Sequence, residues 1–235
     1  MIRGLDTLRQ NIDVLLKRQE NASSNIANVN TTGYQAKKLF QSTLKQVRFQ
    51  NYQGGPNVNQ RTEIGDFTFG NQLDGAALNP EKGAFKQTGR STDFAIQNDG
   101  YFTVKMPNGT TAYTRNGNFK VNAQNEYVTQ EGYQVLSAAG TAVAAGQNPA
   151  FGIVAFDNPQ QLESQGNTYY TTTQTPPHNV QTAQVLNGYL EQSNVATADE
   201  MVSLIQTGRE FEANQKALST NNETLNKAVN ELGKI

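Results

Sequence analysis

An α+β fold is predicted, with long N- and C-terminal helices pairing as a coiled coil and a central antiparallel β domain. Three observations carry that expectation. Near the N-terminus one set of mainly apolar positions recurs at alternating three- and four-residue steps through Leu5, Leu8, Ile12, Leu15, Gln19, Ala22, Ile26 and Val29. The C-terminus repeats the arithmetic through Leu204, Gly208, Phe211, Gln215, Leu218, Asn222, Leu225, Val229 and Leu232. A seam sustained in this way marks a helix built to lie along another helix. Between the termini the helical period vanishes, and short alternating runs are separated by Asn- and Gly-bearing turns, as in antiparallel strands.

The first helix is expected to run from Arg3 to Asn28, roughly 39 Å at 1.5 Å per residue. It should stop where Asn28-Val29-Asn30-Thr31-Thr32-Gly33 offers competing side-chain hydrogen bonds and a residue suited to left-handed backbone. Residues 35–79 read as an extended connector or long hairpin. Within it, Leu39, Phe40, Leu44 and Val47 suggest a short helix, Gly54-Gly55-Pro56 a break, and Arg61 to Phe69 a strand.

Residues 80–190 read as the β domain. Tyr101–Thr114 is a hairpin around Pro107-Asn108-Gly109. Phe119–Val121, Tyr127–Thr129, Tyr133–Leu136 and Phe151–Phe156 follow as strands, and Val185–Leu190 closes the set. Ser137–Pro149 is too poor in large side chains to pack a core and reads as a loop. A short helix is expected from Asp157 through Leu162, and a loop over Thr171–Pro177. The C-terminal helical part spans 191–235, and Thr197 with Glu200 suggests a capping box at the helix start. The N-terminal helical part takes 1–34.

Composition excludes several classes of function. The chain has 235 residues, of which 36% are hydrophobic, and Lys+Arg 19 against Asp+Glu 20 leaves a net charge of −1. Its polarity therefore comes from Asn, Gln, Thr and Ser. Near-neutral charge gives no electrostatic case for nucleic acid. With no cysteine, a disulfide framework or a thiolate metal site is impossible. No run approaches the about 18 apolar residues that span a bilayer, so the chain is not expected to be an integral membrane protein. Arg3, Asp6, Arg9, Asp13, Lys17 and Arg18 interrupt the N-terminal apolar pattern, so no cleavable signal peptide is expected.

Catalytic readings are weak. His178 is a lone loop histidine without a second ligand or base. Asp93 and Asp99 stand beside turns, where Asp is favoured for its backbone hydrogen bonding. Gly83 and Gly89 do not link a strand to a helix as a phosphate loop would. The scattered tyrosines suit sheet packing better than glycan stacking. No catalytic residue, metal, cofactor or small-molecule substrate is expected.

The stretch from Asn21 to Tyr34, NASSNIANVNTTGY, resembles the N-terminal signature of the bacterial flagellar basal-body rod and hook family. Thr88–Ile96, Gly100–Val104 and Ala112–Phe119 resemble that family's central pattern. Leu190–Val195, Glu200–Val202 and Arg209–Asn214 resemble its C-terminal signature. Two departures stand out: Gln35 where the family usually has a basic residue, and Ala196 where it usually has an acidic one.

The resemblance implies a structural rod subunit, more distal than proximal, that stacks helically into a drive shaft. Its partners would be copies of itself, other rod and hook proteins and, during uncleaved export, the flagellar type III apparatus. The seam positions would pack subunits, and Asn28, Asn30, Thr31, Gly33 and Tyr34 would set where the chain leaves the helical core. The alternatives are a hook or hook-junction protein of the same family, and an oligomeric β-domain binding module.

One physical requirement supports assembly independently. A large apolar side chain contributes about 1.5–3 kcal/mol when fully buried, while ordering each residue costs about 1–2 kcal/mol of backbone entropy. One partner helix covers only a strip of either seam. The amides of Gln19, Gln215 and Asn222, and Gly208, weaken the seams further, so further subunits are expected to complete the burial.

Overall fold

The computed structural model describes residues 2–43, 46–52, 61–68, 71–146, 148–166, 168–172, 176–180 and 183–232. Two compact units divide the chain. One gathers Met1–Ser23, Leu39–Ala76 and Met201–Ile235; the other gathers Ser24–Lys38 and Ala77–Glu200.

Helix α1 spans Ile2–Ala27. It stops because the backbone finds other partners: Asn28 N–H is shared between the Ser24 and Asn25 carbonyls at 3.2 and 3.1 Å, and Asn28 Nδ2 donates to the Ser24 carbonyl at 2.8 Å. Strands β1 (Lys37–Thr43), β2 (Gln46–Tyr52), β3 (Arg61–Thr68) and β4 (Asn71–Leu78) follow, with β1 paired to β4 and β2 to β3. Leu39, Phe40 and Val47 therefore lie in strands, contrary to the short helix expected there. A short apolar run carries no period long enough to separate helix from strand, and antiparallel pairing decides the matter. Leu44 and Gly54-Gly55-Pro56 lie outside the described residues, as does Phe69.

In the second unit, β5 (Phe85–Gln87), β6 (Phe94–Ile96), β7 (Tyr101–Lys105), β8 (Thr111–Thr114), β9 (Lys120–Val121), β10 (Tyr127–Val128) and β11 (Gln134–Val135) come first in sequence. Then come β12 (Ile153–Ala155), β13 (Glu163–Ser164), β14 (Tyr169–Thr171), β15 (His178–Asn179), β16 (Val185–Asn187) and β17 (Tyr189–Glu191). The main antiparallel sheet runs β13-β14-β8-β7-β11-β10-β9. One edge of β7 carries β8, with Phe102 opposite Thr114 and Lys105 opposite Thr111. Its other edge is shared, β11 taking the C-terminal half and β12 the N-terminal half. The expected hairpin is thus present, and its turn closes through Gly109, at φ +82°, whose N–H donates to the Met106 carbonyl at 2.9 Å.

Period-two alternation sends neighbouring residues of one strand into two different cores. Phe102, Ala112, Ile153 and Tyr169 enter one cluster, while Tyr101, Tyr113, Val154 and Tyr170 enter the other. Both faces of the sheet are covered, which is why these strands carry large side chains at successive positions. Aromatic edges meet faces in the first core: Phe102 and Phe119 centroids are 5.1 Å apart at 81°, Phe94 and Tyr127 5.4 Å apart at 85°. Tyr101, Tyr113, Tyr127, Tyr169 and Tyr170 are all buried, so their rings are packing groups.

Three local expectations are corrected. Val143, within the Ala- and Gly-rich segment 137–149, is buried in the first core, because the bridges Leu136↔Ala142 and Glu126↔Ala144 hold its backbone against the sheet. His178 lies in β15 opposite Ala155, exposed, rather than in a loop. The helical turn after Asp157 is a single 3-10 turn, Pro159–Gln161.

Helix α2 spans Thr197–Leu232. Glu200 N–H donates to the Ala196 carbonyl at 3.1 Å. Ala196 is therefore the N-cap, and Glu200 falls one position too far along to close a capping box with Thr197. Among the described residues, no helix is long and apolar enough to cross a membrane.

Candidate functional site: a three-segment junction and the faces of the terminal helices

The turn after α1 is built from its own side chains. Thr31 Oγ1 donates to Asn28 Oδ1 at 3.2 Å, and Thr31 N–H and Tyr34 N–H close successive turns on the Asn28 and Thr31 carbonyls at 3.1 and 3.3 Å. Gly33 then takes φ +68° and donates its N–H to the Glu191 carbonyl at 2.8 Å. A Cβ at Gly33 would lie 2.4 Å from the Asn116 nitrogen, so the site requires glycine for both torsion and space. Thr32 Oγ1 donates to Asn116 Oδ1 at 2.8 Å, and the Tyr34 ring packs with Ala36, Val195 and Val29. Asn30 remains exposed.

Behind this turn sits an ion pair. Arg115 and Glu191 are each 3% exposed, with Nη2 at 2.7 Å and Nε at 2.8 Å from Glu191 Oε2. The rest of the guanidinium donates to the carbonyls of Asn98, Gly100 and Ile96, and Gly83 N–H donates to Glu191 Oε1 at 3.2 Å. Burial pushes the Glu191 carboxyl above its ordinary value, with Arg115 pulling in the other direction. A buried pair is tolerable only when its remaining donors and acceptors are satisfied, and here they are.

Two amides lock the segments around it. Asn25, fully buried, donates through Nδ2 to Glu200 Oε1 at 2.8 Å and to the Lys37 carbonyl at 3.1 Å. Its Oδ1 accepts from Tyr34 Oη and from Lys37 N–H, each at 3.1 Å. Every hydrogen-bonding position of that amide is used. Asn194 accepts from Ala36 N–H at 2.7 Å and donates to the carbonyls of Asn79 and Glu81 at 3.0 and 2.7 Å. Gln35, where a basic residue was expected from the resemblance, is buried and accepts Tyr101 Oη at 3.0 Å.

The seam positions lie as follows. On α1, Leu15 and Ala22 are buried, Leu5, Leu8, Ile12 and Ile26 half-buried, and Gln19 exposed; Val29, just beyond α1, is also half-buried. On α2, Leu204, Gly208, Phe211, Leu218 and Leu225 are half-buried, whereas Gln215, Asn222 and Val229 are exposed. Polar residues one position earlier are shielded as well: Asn11, Arg18 and Asn25 on α1, Thr207 and Asn214 on α2. In the first unit Asn11 Nδ2 donates to Asn214 Oδ1 at 3.2 Å, and Arg18 Nη1 reaches Glu210 Oε2 at 3.4 Å. Met201, Val202, Ile205 and Leu16 stay exposed, between 46% and 56%.

Catalytic candidates do not converge. Asp93 is buried and takes Thr88 Oγ1 at 2.6 Å and Arg90 Nε at 2.9 Å, a turn-holding role, while Asp99 is exposed and paired with Lys82 at 2.9 Å. Among the described residues, no group of three or more His, Cys, Asp or Glu side chains could hold a metal.

Comparison with known proteins accounts for this arrangement. Residues 2–35 match the flagella basal body rod protein family, 95–163 the flagellar hook protein FlgE/F/G D1 domain, and 186–231 the flagellar basal body rod FlgEFG protein C-terminal region. The chain is 30% identical to the flagellar basal-body rod protein FlgG of Buchnera aphidicola subsp. Acyrthosiphon pisum (strain APS), over 95% of each chain. It belongs to the flagellar basal-body rod protein family. It is also 31% identical to the rod protein FlgF of Caulobacter vibrioides, over 97% of this chain and 94% of that one, and 29% identical to FlgG of Bacillus subtilis (strain 168), over 97% and 96%.

The flagellar rod family is structural and not enzymatic. Its three matched regions meet at the junction: Asn25 and Gly33 come from the first, Arg115 from the second and Glu191 from the third. All four residues lie inside the stretches that resemble the family, and of them only Gly33 is a candidate from the sequence alone. The Arg115–Glu191 pairing leaves no local signal, because its partners are 76 positions apart. Asn25 had a faint one, as an amide seven residues beyond Arg18 on the shielded face.

Proposed function

We propose that this chain is a structural subunit of the bacterial flagellar basal-body rod, of the distal type, whose terminal helices pair as an antiparallel coiled coil and pack against those of neighbouring subunits. The observation carrying this reading is the polar register between the helices. Partners ascend α1 from Asn11 to Arg18 while they descend α2 from Asn214 to Glu210. In the second unit Asn25 meets Glu200 in the same sense. Polar contacts at heptad spacing fix register at a cost in stability, and leave apolar flanks to be covered by others. Exposed Met201, Val202 and Ile205 are such a flank.

On this reading 1–34 and 191–235 form the helical core, 80–190 the outer β domain, and 35–79 the connector between them. The subunit reaches its place through the flagellar export apparatus with its N-terminus uncleaved, outside the cytoplasm, and joins copies of itself and other rod and hook proteins. Electron microscopy of the concentrated protein tests the proposal. Open-ended filaments that vanish when 1–23 and 201–235 are removed are expected. A closed small oligomer that survives their removal would refute the proposal and favour a β-domain binding module.

A further inference from the structure

The second unit carries two clefts whose rims bear opposite charge. One, of about 430 Å³, has Tyr101 and Phe156 in its floor and Glu81, Lys82, Asp99 and Asp157 at its rim. Arg115 also borders it, but that charge is neutralised by Glu191 at 2.7 Å. Asp99 engages Lys82, and Glu81 accepts Asn79 Nδ2 at 2.8 Å, so three carboxylates face one ammonium. The other cleft, of about 330 Å³, has Val29 and Leu190 in its floor and the cations Lys86 and Arg90 at its rim. Lys86 is exposed and supplies the net charge of this rim, because Arg90 is paired with Asp93 at 2.9 Å, although its side chain is 58% exposed.

The strand pair β5–β17 borders the cationic cleft through Lys86 and Leu190. Leu190 borders the cationic cleft, as does Gln192 just past the end of β17, and Lys86 stands opposite Leu190 in register. Glu191, between them, turns its carboxylate the other way, to Arg115 at the border of the acidic cleft. Successive residues of a strand point to opposite faces, so Arg115, which lines the acidic cleft, meets the face of this ribbon opposite the one that lines the cationic cleft. Two unlike, complementary patches on opposite faces make a heterologous contact, which propagates without closing when the rotation between copies does not return on itself.

We infer that these clefts are the two halves of one contact between copies of this chain: the Lys86 and Arg90 rim of one copy sits against the Glu81, Asp99 and Asp157 rim of the next. The occupant is a second copy because the complementary surface is present on the same unit, and rim charge of this kind steers and registers an encounter. The inference rests on the self-assembly reading above and assigns it a surface outside the helices.

Charge exchange tests it. Lys86→Glu and Asp157→Lys each meet a like charge across the contact, and each is expected to raise the concentration needed for assembly about tenfold. An equimolar mixture should return it to the wild-type value, because alternating copies restore an attractive pair at every contact. Either variant assembling as wild type, or a mixture no better than its parts, overturns the inference. Circular dichroism of each variant verifies that it is folded.

A second measurement separates this contact from the rod reading. The chain has no cysteine, so Asp157→Cys offers one site for a benzophenone label. Cross-links to the Phe85–Arg90 segment of another, isotope-marked copy are expected. If they form in a protein that makes no filaments, the contact stands and the rod reading falls. If filaments form without those cross-links, the rod reading stands and the contact falls.

Discussion

In the β-rich unit, neighbouring residues of a single strand enter two separate cores, and a buried ion pair has all its remaining bonds made inside the same unit. In the helical unit, among the described residues only Val14, Leu15, Ala22 and Thr207 are buried, while Leu16, Met201, Val202, Ile205 and Val229 stand in solvent. The β-rich unit builds two buried cores from its own residues and leaves only Phe85 and Val121, among its described large apolar side chains, exposed. The helical unit has fixed a register between polar groups and left apolar surface uncovered, as expected of a part whose remaining neighbours come from other molecules. A unit with its own buried cores and a unit with little buried surface thus sit in one chain, and the contrast can be broken by experiment.

The largest effect is expected at Arg115. Arg115→Met leaves the buried Glu191 carboxylate with the Gly83 N–H but no cation and takes a donor from three carbonyls, and breaking a buried pair from one side costs about 3–5 kcal/mol. Urea unfolding followed by tyrosine fluorescence would measure it, since the chain has 9 Tyr and no Trp. A loss below about 1 kcal/mol, the scale of exposed ion pairs, would show that the junction is not a closed unit.

Gly33→Ala comes next. Its Cβ would meet the Asn116 nitrogen at 2.4 Å while φ is held at +68°. Strain of this kind costs about 1–3 kcal/mol, to be read in the same urea titration. A neutral result would mean that the turn can move away from Asn116.

A graded effect follows with pH. Burial raises the phenols of Tyr34, Tyr101, Tyr113, Tyr169 and Tyr170 above their ordinary 10.0. The unfolded chain releases those protons near 10, whereas the folded chain holds them longer. The contribution to stability is therefore complete below pH 10 and is lost as pH rises through the higher folded values. Thermal melts between pH 9 and pH 12 should show a falling midpoint together with a delayed phenolate absorbance at 295 nm. A midpoint indifferent to alkali would contradict the burial of these rings.

The smallest effect on the lone chain, and the most telling, is expected at Ile205→Asp. An exposed position shifts stability by no more than about 0.5 kcal/mol, yet a charge placed on the uncovered flank should abolish filaments. Sedimentation beside the urea curve would separate the two. A variant that assembles normally would mean that this flank faces solvent in the assembly as well.

Much of the β unit was legible because its signals are local. Pro107-Asn108-Gly109 between alternating runs specifies a hairpin wherever it occurs, and β7 and β8 pair across it. The strands at Leu39 and Val47 were not legible, since a few apolar residues without a period fit either element. Val143 escaped for a related reason: its neighbours are small, and only the bridges on both sides carry it inward. The junction was half visible. Its glycine betrayed a turn, but nothing near Arg115 in sequence announces Glu191. On the helices, the heptad spacing points to Ile12, Gln19 and Ile26. The positions beside them, half-buried Asn11 and Arg18 and buried Asn25, combine a shielded stem or amide with a polar contact that no hydrophobic pattern scores.

Asn25 carries a chemical consequence of its own. Hydrolysis of that amide to an acid would replace two donors with lone pairs, turned toward the Lys37 carbonyl and the Glu200 carboxylate. The same four bonds restrain rotation of the side chain, and the group is shut off from water. The network that makes the residue indispensable also shelters it from ageing, which suits a part that, once seated, stays in place.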